Sequence, residues 1–285
     1  MEDLSFLVYK GLITSDNRAH KPEQPINVVR SGVIFQQQCH NGLPYDIAVS
    51  WLQKAIRRSL LDQALFCAYN ISLLGKIFRS HLLNRLVTIM SEDVGPSEPG
   101  LPTLLVPLYF KAKEDEKMGI ICNNSLHQII GILCSSKKSR ITDLLIHTSK
   151  SINKDSALEN YCGSIEEMVQ WGLYHCRKKT KTSERIQVEY DNLISSRKLK
   201  VYDLWNVLLQ SEYHKSDIIQ LLRLFSVRGP TYGVLHLVHA ITLSFMGEEI
   251  ISLPDKPDPI NWDDLSSLDF PLMNDAVDQH TYYGR

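Results

Sequence analysis

Apolar side chains recur at the spacing of an α-helix from residue 44 onward. Ile47, Trp51 and Ala55 lie four residues apart, and Leu60 and Leu61 continue the apolar series. Residues three or four positions apart share one face of an α-helix, whereas the buried residues of a half-exposed strand alternate. The pattern therefore predicts helices that each bury one face.

A short polar interruption divides this helical stretch. Arg57, Arg58 and Ser59 separate the two apolar series, which predicts a bend between a pair of helices. The segment KIFRSHLLNRLVTIM supplies a second hairpin candidate and ends at SEDVGPSEPGLP, a stretch dense in glycine and proline. Two helical hairpins in tandem predict a helical bundle.

Helical patterns continue through the rest of the chain. TLLVPLYFKAKEDEKMG predicts a helix that Pro107 interrupts, and NSLHQIIGILCSS is a strongly apolar segment closed by KKSR. Further helices are predicted in ITDLLIHTSKSI, SIEEMVQWGLYHCRKK, SERIQVEYDNLISS, KVYDLWNVLLQSEY, KSDIIQLLRLFSV and YGVLHLVHAITLSF. Several begin with serine followed by acids, which can accept hydrogen bonds from the free N–H groups of a first helical turn.

The predicted architecture is all-α: a helical bundle of two subdomains with an irregular N-terminal arm and an extended C-terminal tail. Residues 1–42 form the arm, which holds helix breakers and a short strand candidate, INVVRSGVIF. Residues 43–150 form the first helical domain and residues 151–247 the second. Residues 248–285 are rich in proline and aspartate and form the tail.

Composition and charge narrow the class of protein. The chain has 285 residues, of which 44% are hydrophobic and 22% charged, as in an ordinary globular protein. The formal net charge is −1, so binding to nucleic acid would depend on local patches. The six cysteines form no CxxC pair, which favours free buried thiols in a reducing compartment, the cytoplasm or the nucleus. The N-terminus lacks a basic signal-peptide region and no apolar run is long enough for a membrane span, so no membrane partner is expected.

Motifs for catalysis, cofactors and metals are weak. GILCSSKKS lacks the second glycine of a phosphate-binding loop. The pairs His236 with His239, His175 with Cys176, and Cys122 with His127 supply two ligands each, and a structural zinc ion needs four. Histidines packed on helix faces explain these pairs more simply. We therefore expect no catalytic residues, no metal and no cofactor, although catalytic groups scattered along the chain stay an open alternative.

Basic clusters are the candidate nucleic-acid-binding residues. Lysine and arginine side chains that converge on one face can neutralise phosphates, whereas solvated surface charges balanced by acids are the simpler alternative. The candidates are Lys54, Arg57, Arg58, Lys137, Lys138, Arg140, Arg177, Lys178, Lys179 and Lys181.

Three acids crowd the segment that ends the second hairpin. Glu92, Asp93 and Glu98 could bind a metal or act as a general acid. A structural role fits better, in which Glu92 and Asp93 cap the next element or hold an arginine such as Arg85 across the hairpin.

The stretch from Pro44 to Gly95 also carries a family pattern. A tyrosine–aspartate pair opens a helix, a lysine–x–x–arginine segment ends it before a serine, and a later arginine precedes a serine–glutamate–aspartate–hydrophobic–glycine turn. These features fall on Tyr45, Asp46, Lys54, Arg57, Ser59, Arg85, Ser91, Glu92, Asp93 and Gly95. The stretch resembles the C-terminal helical region of the replication-associated recombination ATPases called MgsA or RarA and of their eukaryotic Werner-helicase-interacting relatives. In keeping with this resemblance, we expect Tyr45, Asp46, Arg85, Glu92 and Asp93 to have structural roles.

The resemblance implies a clamp-loader-like collar, whose helices oligomerise the ATPase near DNA at stalled replication forks. The family's ATPase module does not precede this region here, so the resemblance carries over no activity. We expect a non-catalytic oligomerisation or scaffold protein of DNA replication or recombination, with copies of itself, nucleic acid and replication proteins as candidate partners. The alternative is a viral capsid or nucleocapsid protein that self-assembles through the helical domain, with virion proteins as partners and the virion as its location. DQHTYYGR resembles a polar motif of divergent viral or mobile-element members.

Overall fold

The structure, a computed structural model, describes residues 37–120, 124–149, 164–175, 204–205, 207–247, 257, 262–268, 270–273 and 275–276. These residues are mainly helical. They include no β-strand and a single isolated bridge between Gln38 and Pro44. The predicted all-α fold class is confirmed. The strand candidate INVVRSGVIF lies outside the described residues.

The structure describes nine helices, of which the first six follow one another with short connections. They are α1 (Tyr45–Arg57), α2 (Leu61–Leu73), α3 (Lys76–Ile89), α4 (Leu101–Lys117), α5 (Asn124–Ser135), α6 (Ile141–Ser149), α7 (Ile165–His175), α8 (Lys215–Tyr232) and α9 (Val234–Ser244). A π-helical turn, Met90–Val94, and a 3-10 turn, Gly95–Ser97, connect α3 to α4. A 3-10 helix, Trp262–Ser267, lies in the C-terminal region.

The chain divides into two compact units that interleave along the sequence. The first unit comprises residues 1–86, 108–135 and 254–285, and the second comprises residues 87–107 and 136–253. The predicted domain boundaries after residues 42, 150 and 247 stay predictions, because this division reflects proximity and not independent folding.

The predicted bend between the first two helices lies at Ser59. Helix α1 ends at Arg57, Ser59 has a left-handed backbone with φ +59°, and α2 begins at Leu61. The two helices pack against each other, and the ring of Trp51 meets Phe66 edge-on at 5.8 Å between centroids. The indole Nε1 of Trp51 donates to Gln63 Oε1 at 2.9 Å, so this buried ring keeps its polar group satisfied.

The first unit is completed by α5 and by the C-terminal region. Helix α5 packs on α1 and α2, and the 3-10 helix packs on α2. Trp262 meets His127 of α5 at 6.2 Å between ring centroids, and both rings are buried. The tail predicted to be extended therefore contains a helical turn and contributes to the core of this unit.

The second unit is built around α9. Residues 236–243 of this helix are all buried, including the polar residues His236, His239 and Thr242. It packs against α6, α7, α8 and the π-helical turn. Gly172 of α7 lies against this helix, and a Cβ atom there would be in ordinary van der Waals contact with Leu237 Cδ2 at 3.4 Å and Ile241 Cδ1 at 3.5 Å.

Two helices test the predictions about breakers and caps. Helix α4 continues through Pro107, whose missing N–H falls on an exposed position of the helix, so the predicted interruption is wrong. Ser164 and Glu167 form the reciprocal cap expected at the start of α7: Ser164 N donates to Glu167 Oε2 at 3.0 Å, and Glu167 N donates to Ser164 Oγ at 3.2 Å.

Among the described helices, none combines the length and the apolar character that a membrane crossing demands. Cys39, Cys67 and Cys134 are buried free thiols, as the spacing of the cysteines predicts. Burial raises the pKa of the Cys39 and Cys67 thiols, so both stay protonated.

Candidate functional site: the SEDVG turn and the basic segments

The SEDVG turn, residues Ser91–Gly95, is a tightly packed corner of the second unit. Ser91 and Asp93 are fully buried although both are polar. Gly95 has φ +55°, a conformation that other residues rarely adopt, and a Cβ atom there would lie 3.0 Å from Thr142 Oγ1. The turn needs glycine both for its backbone and for the close approach of α6.

Ser91 brings together the two histidines of α9. Its hydroxyl lies 2.9 Å from His236 Nδ1 and 3.2 Å from His239 Nδ1. A hydroxyl has one proton to donate, so it donates to one ring and accepts from the other, which places the two neutral imidazoles in different tautomers. His236 Nε2 has no hydrogen-bond partner among the described residues, and burying an unpaired polar atom is costly.

Both histidines are held in the neutral form. Burial lowers the pKa of His236 to about 3, with smaller contributions from Arg228 and His239. Burial likewise lowers the pKa of His239 to about 3, and a backbone hydrogen bond to Gly95 opposes this shift. A serine–histidine pair can activate a hydroxyl for nucleophilic attack, but these side chains have no exposed surface through which a substrate could reach them.

The acids of the turn face Arg140, which directly precedes α6. Arg140 Nη2 lies 3.9 Å from Glu92 Oε1, and Arg140 Nε lies 3.9 Å from Asp93 Oδ1. The backbone supports this approach, because Ser139 N donates to the Asp93 carbonyl at 2.9 Å. Arg140 also pairs with Asp143 on α6. The sequence predicted an arginine partner for Glu92 and Asp93, with Arg85 as the example. The arginine beside both acids is instead Arg140, which lies 47 residues after Asp93 in the sequence.

Glu98 contacts the segment that joins α5 to α6. Its Oε2 accepts a hydrogen bond from Lys137 N at 3.0 Å, and Ser97 Oγ donates to the Lys137 carbonyl at the same distance. Glu98 is thereby used in holding the chain between α5 and α6. The side chain of Lys137 is exposed, and Lys138 Nζ donates to the Ser136 carbonyl.

The second basic cluster lies at the end of α1, in the first unit. Arg58 is about half exposed and forms an ion pair with Asp275 in the C-terminal region. Lys54 Nζ donates to Ser50 Oγ at 3.2 Å and also to the backbone carbonyl of Asp275. Arg57 is half-buried. The remaining candidates, Arg177, Lys178, Lys179 and Lys181, lie outside the described residues.

The other residues of the family pattern lie around the start of α1. Tyr45 begins this helix, and burial raises the pKa of its hydroxyl to about 12, an effect that Arg85 partly offsets. Its hydroxyl lies 3.4 Å from His81 Nδ1. Asp46 is buried, and its Oδ1 accepts from Ile47 N at 2.9 Å. The predicted opening of the helix at this tyrosine–aspartate pair agrees with the structure.

An aspartate that sequence reasoning did not single out fixes the start of α4. Asp217 of α8 is buried, and its carboxylate accepts from Gly100 N at 2.7 Å, Thr103 N at 3.0 Å and Thr103 Oγ1 at 2.7 Å. The motif KSD predicts a cap for its own helix, yet α8 begins after His214 without a side-chain cap. The Asp217 carboxylate instead accepts hydrogen bonds from the free N–H groups at the start of α4.

Within the described residues, no group of three or more histidine, cysteine, aspartate or glutamate side chains is placed to hold a metal ion. No family model matches the chain, and neither a curated protein nor a solved structure matches it significantly. The likeness to the MgsA or RarA region thus rests on the residues quoted above.

Proposed function

We propose that this chain is a non-catalytic helical scaffold of DNA replication or recombination, which self-associates and holds the phosphate backbone of DNA through exposed lysines and arginines. The proposal places it inside the cell, in the cytoplasm or the nucleus, with copies of itself, DNA and replication proteins as partners.

The proposal rests on the contacts that the polar side chains of the SEDVG turn make within the chain. Every polar side chain of the turn is directed to a partner within the chain: Ser91 to two histidines, and Glu92 and Asp93 to Arg140. A segment of this composition could have formed a metal or acid–base site at the surface. Its burial supports an architectural role, which is the role that the collar resemblance implies.

Exposed cations supply the means of binding DNA. Lys137 and Arg58 are exposed, and each lies where a helix ends or a connection begins. Because the whole chain has a net charge of only −1, such local groups must supply any attraction to phosphate. Contacts of this kind position a protein on DNA without reading the base sequence.

Exposed apolar side chains support self-association. On α8, Ile219 and Val227 are eight residues apart on one face and are 45% and 61% exposed. Large apolar side chains exposed on one helix face mark a surface that gains from being covered. A second copy of the chain is the partner that the collar resemblance implies.

Light scattering tests both parts of the proposal in one measurement. Particle mass should be a small multiple of 32.6 kDa, and it should increase on addition of single- or double-stranded DNA at low salt. Binding should weaken with salt, with a logarithmic slope of about −0.9 per neutralised phosphate on duplex DNA. A particle with the mass of one chain that binds no DNA at any salt concentration contradicts the proposal. Large shells or filaments would favour the viral structural alternative instead.

Matched variants separate the two parts. Ile219→Lys with Val227→Lys should reduce the particle to a single chain, whereas Ser135→Lys with Thr148→Lys adds the same charge at exposed positions of α5 and α6 and should leave the mass unchanged. Charge reversal of Arg177, Lys178, Lys179 and Lys181 should weaken DNA binding and flatten its salt dependence. Unchanged binding after that reversal would remove these four residues from the interface.

A further inference from the structure

The carboxylate of Asp275 is bound end-on by the guanidinium of Arg58. Arg58 Nη1 lies 3.0 Å from Asp275 Oδ1, and Nη2 contacts Oδ2, so the two planar groups meet through parallel hydrogen bonds. Lys54 Nζ donates to the backbone carbonyl of the same aspartate. Two of the cations predicted to bind DNA thus converge on one residue of the C-terminal region.

This arrangement has the geometry with which proteins hold phosphate. An arginine fork donates hydrogen bonds to two oxygens of a carboxylate or of a phosphate in the same way, and a neighbouring lysine adds a second positive charge. The carboxylate of Asp275 therefore stands where a phosphate group would be bound. Both partners of the pair remain accessible, with 47% of the Arg58 side chain and 37% of the Asp275 side chain exposed.

Apolar contacts around Asp275 act together with the ion pair to hold it in place. Leu272 and Ala276 are buried, and Phe270 meets Phe66 of α2 at 5.4 Å between ring centroids. We name residues 270–273 and 275–276 the tail segment. Its apolar anchors keep the aspartate close to Arg58 at a high effective concentration, while the exposed ion pair itself is weak enough to be exchanged.

From this geometry we infer that Lys54 and Arg58 form a binding site for phosphate groups, and that Asp275 of the tail segment occupies the site until phosphate displaces it. The inference rests on the proposed function for the identity of the ligand, the phosphodiester backbone of DNA. It adds that binding at this site is in competition with the chain's own carboxylate.

The test removes the competing charge and keeps the shape of the side chain. Asp275→Asn should bind a 30-nucleotide oligothymidylate about two- to five-fold more tightly at low salt, the range expected when an exposed ion pair no longer competes. Asp264→Asn, on the exposed surface of the 3-10 helix, makes the same change in net charge and should leave the affinity nearly unchanged. Adding Arg58→Gln to Asp275→Asn should abolish the gain.

Inorganic polyphosphate serves as the second probe, because it offers phosphate without bases or sugar. A gain for both probes supports the inference and the DNA role together. A gain for polyphosphate alone supports the masked site and counts against DNA as its ligand. If Asp275→Asn binds both probes no better than Asp264→Asn does, the inference is wrong even where the unaltered chain binds DNA.

Hydrogen exchange on the unaltered protein tests displacement without any substitution. Polyphosphate should accelerate amide exchange in the tail segment, because displaced Asp275 no longer holds it against Arg58. Exchange that stays the same at saturating polyphosphate would overturn the inference by itself.

Discussion

Acidification should destabilise the second unit through its two buried histidines. In the unfolded chain both histidines titrate near their ordinary pKa of 6.5, whereas in the folded protein burial lowers the pKa of each to about 3. Between these values the unfolded state binds protons that the folded state excludes. Stability therefore decreases as the pH falls from 6.5 toward 3, and the contribution is fully present above pH 6.5.

The size of the effect follows from the shift. Each histidine changes the free energy of unfolding by 1.36 kcal/mol per pH unit, so two histidines over two units, from pH 6.5 to 4.5, contribute about 5 kcal/mol. A domain of ordinary stability has a total of roughly 5–15 kcal/mol. The loss is thus a large part of the stability that a whole domain has, and it occurs over a pH range in which most carboxylates are still ionised.

Urea denaturation at several pH values between 7.5 and 4.5 measures this dependence. The informative variant is His236→Asn, which keeps a polar atom near the position of Nδ1 beside Ser91 but cannot be protonated. It should lower stability at neutral pH and reduce the loss on acidification by about half, or ~2–3 kcal/mol. His147→Gln, at a largely exposed position in the same unit, is the control and should retain the full pH dependence.

The reasoning fails if His236→Asn and the unaltered chain lose the same free energy of unfolding between pH 7.5 and 4.5. That outcome would mean that His236 is protonated in the folded protein, and that its contact with Ser91 tolerates charge.

Three substitutions test the packing described above. Asp217→Ala should lower the free energy of unfolding by about 2–4 kcal/mol, measured by urea denaturation, because it leaves the buried start of α4 without its acceptor; a loss below 0.5 kcal/mol would contradict the cap. Gly131→Ala should accelerate hydrogen exchange in residues 262–268, since its Cβ would lie 2.2 Å from Pro257 Cγ and the rigid ring must move; unchanged exchange would show that the neighbour adjusts locally. Gly95→Ala should cost about 1–3 kcal/mol, because it combines φ +55° with a 3.0 Å contact to Thr142 Oγ1, and an unchanged midpoint of thermal unfolding would argue against that backbone.

The local pattern of the sequence was enough to predict most of the described helices. KIFRSHLLNRLVTIM, the second hairpin candidate, forms the single helix α3, and the helix predicted in SERIQVEYDNLISS lies outside the described residues. The break after Arg57 and the cap formed by Ser164 and Glu167 depend only on residues close together in the chain, and both agree with the structure. The prediction at Pro107 was wrong because the sequence does not show whether a helix position is exposed. At an exposed position, water can replace the backbone hydrogen bond that proline cannot donate.

The contacts of the candidate site could not be predicted in the same way. Ser91 meets His236 across 145 residues, Asp217 caps a helix that begins more than a hundred residues earlier, and Asp275 meets Arg58 across 217 residues. Each depends on the tertiary fold, which no local periodicity encodes. Burial was the missing information: the sequence showed that SEDVG was rich in acids but not that Ser91 and Asp93 would be enclosed.

The interleaving of the two units has a consequence for the order in which the protein can be made. During synthesis the first unit cannot be finished when α5 emerges from the ribosome, since its last segment, residues 254–285, is translated after the whole of the second unit. Trp262 and Ala276, both buried in the finished protein, arrive only then. Until that moment the nascent chain exposes the apolar surfaces of α2 and α5, so a ribosome stalled late in the message would hold a product prone to aggregation.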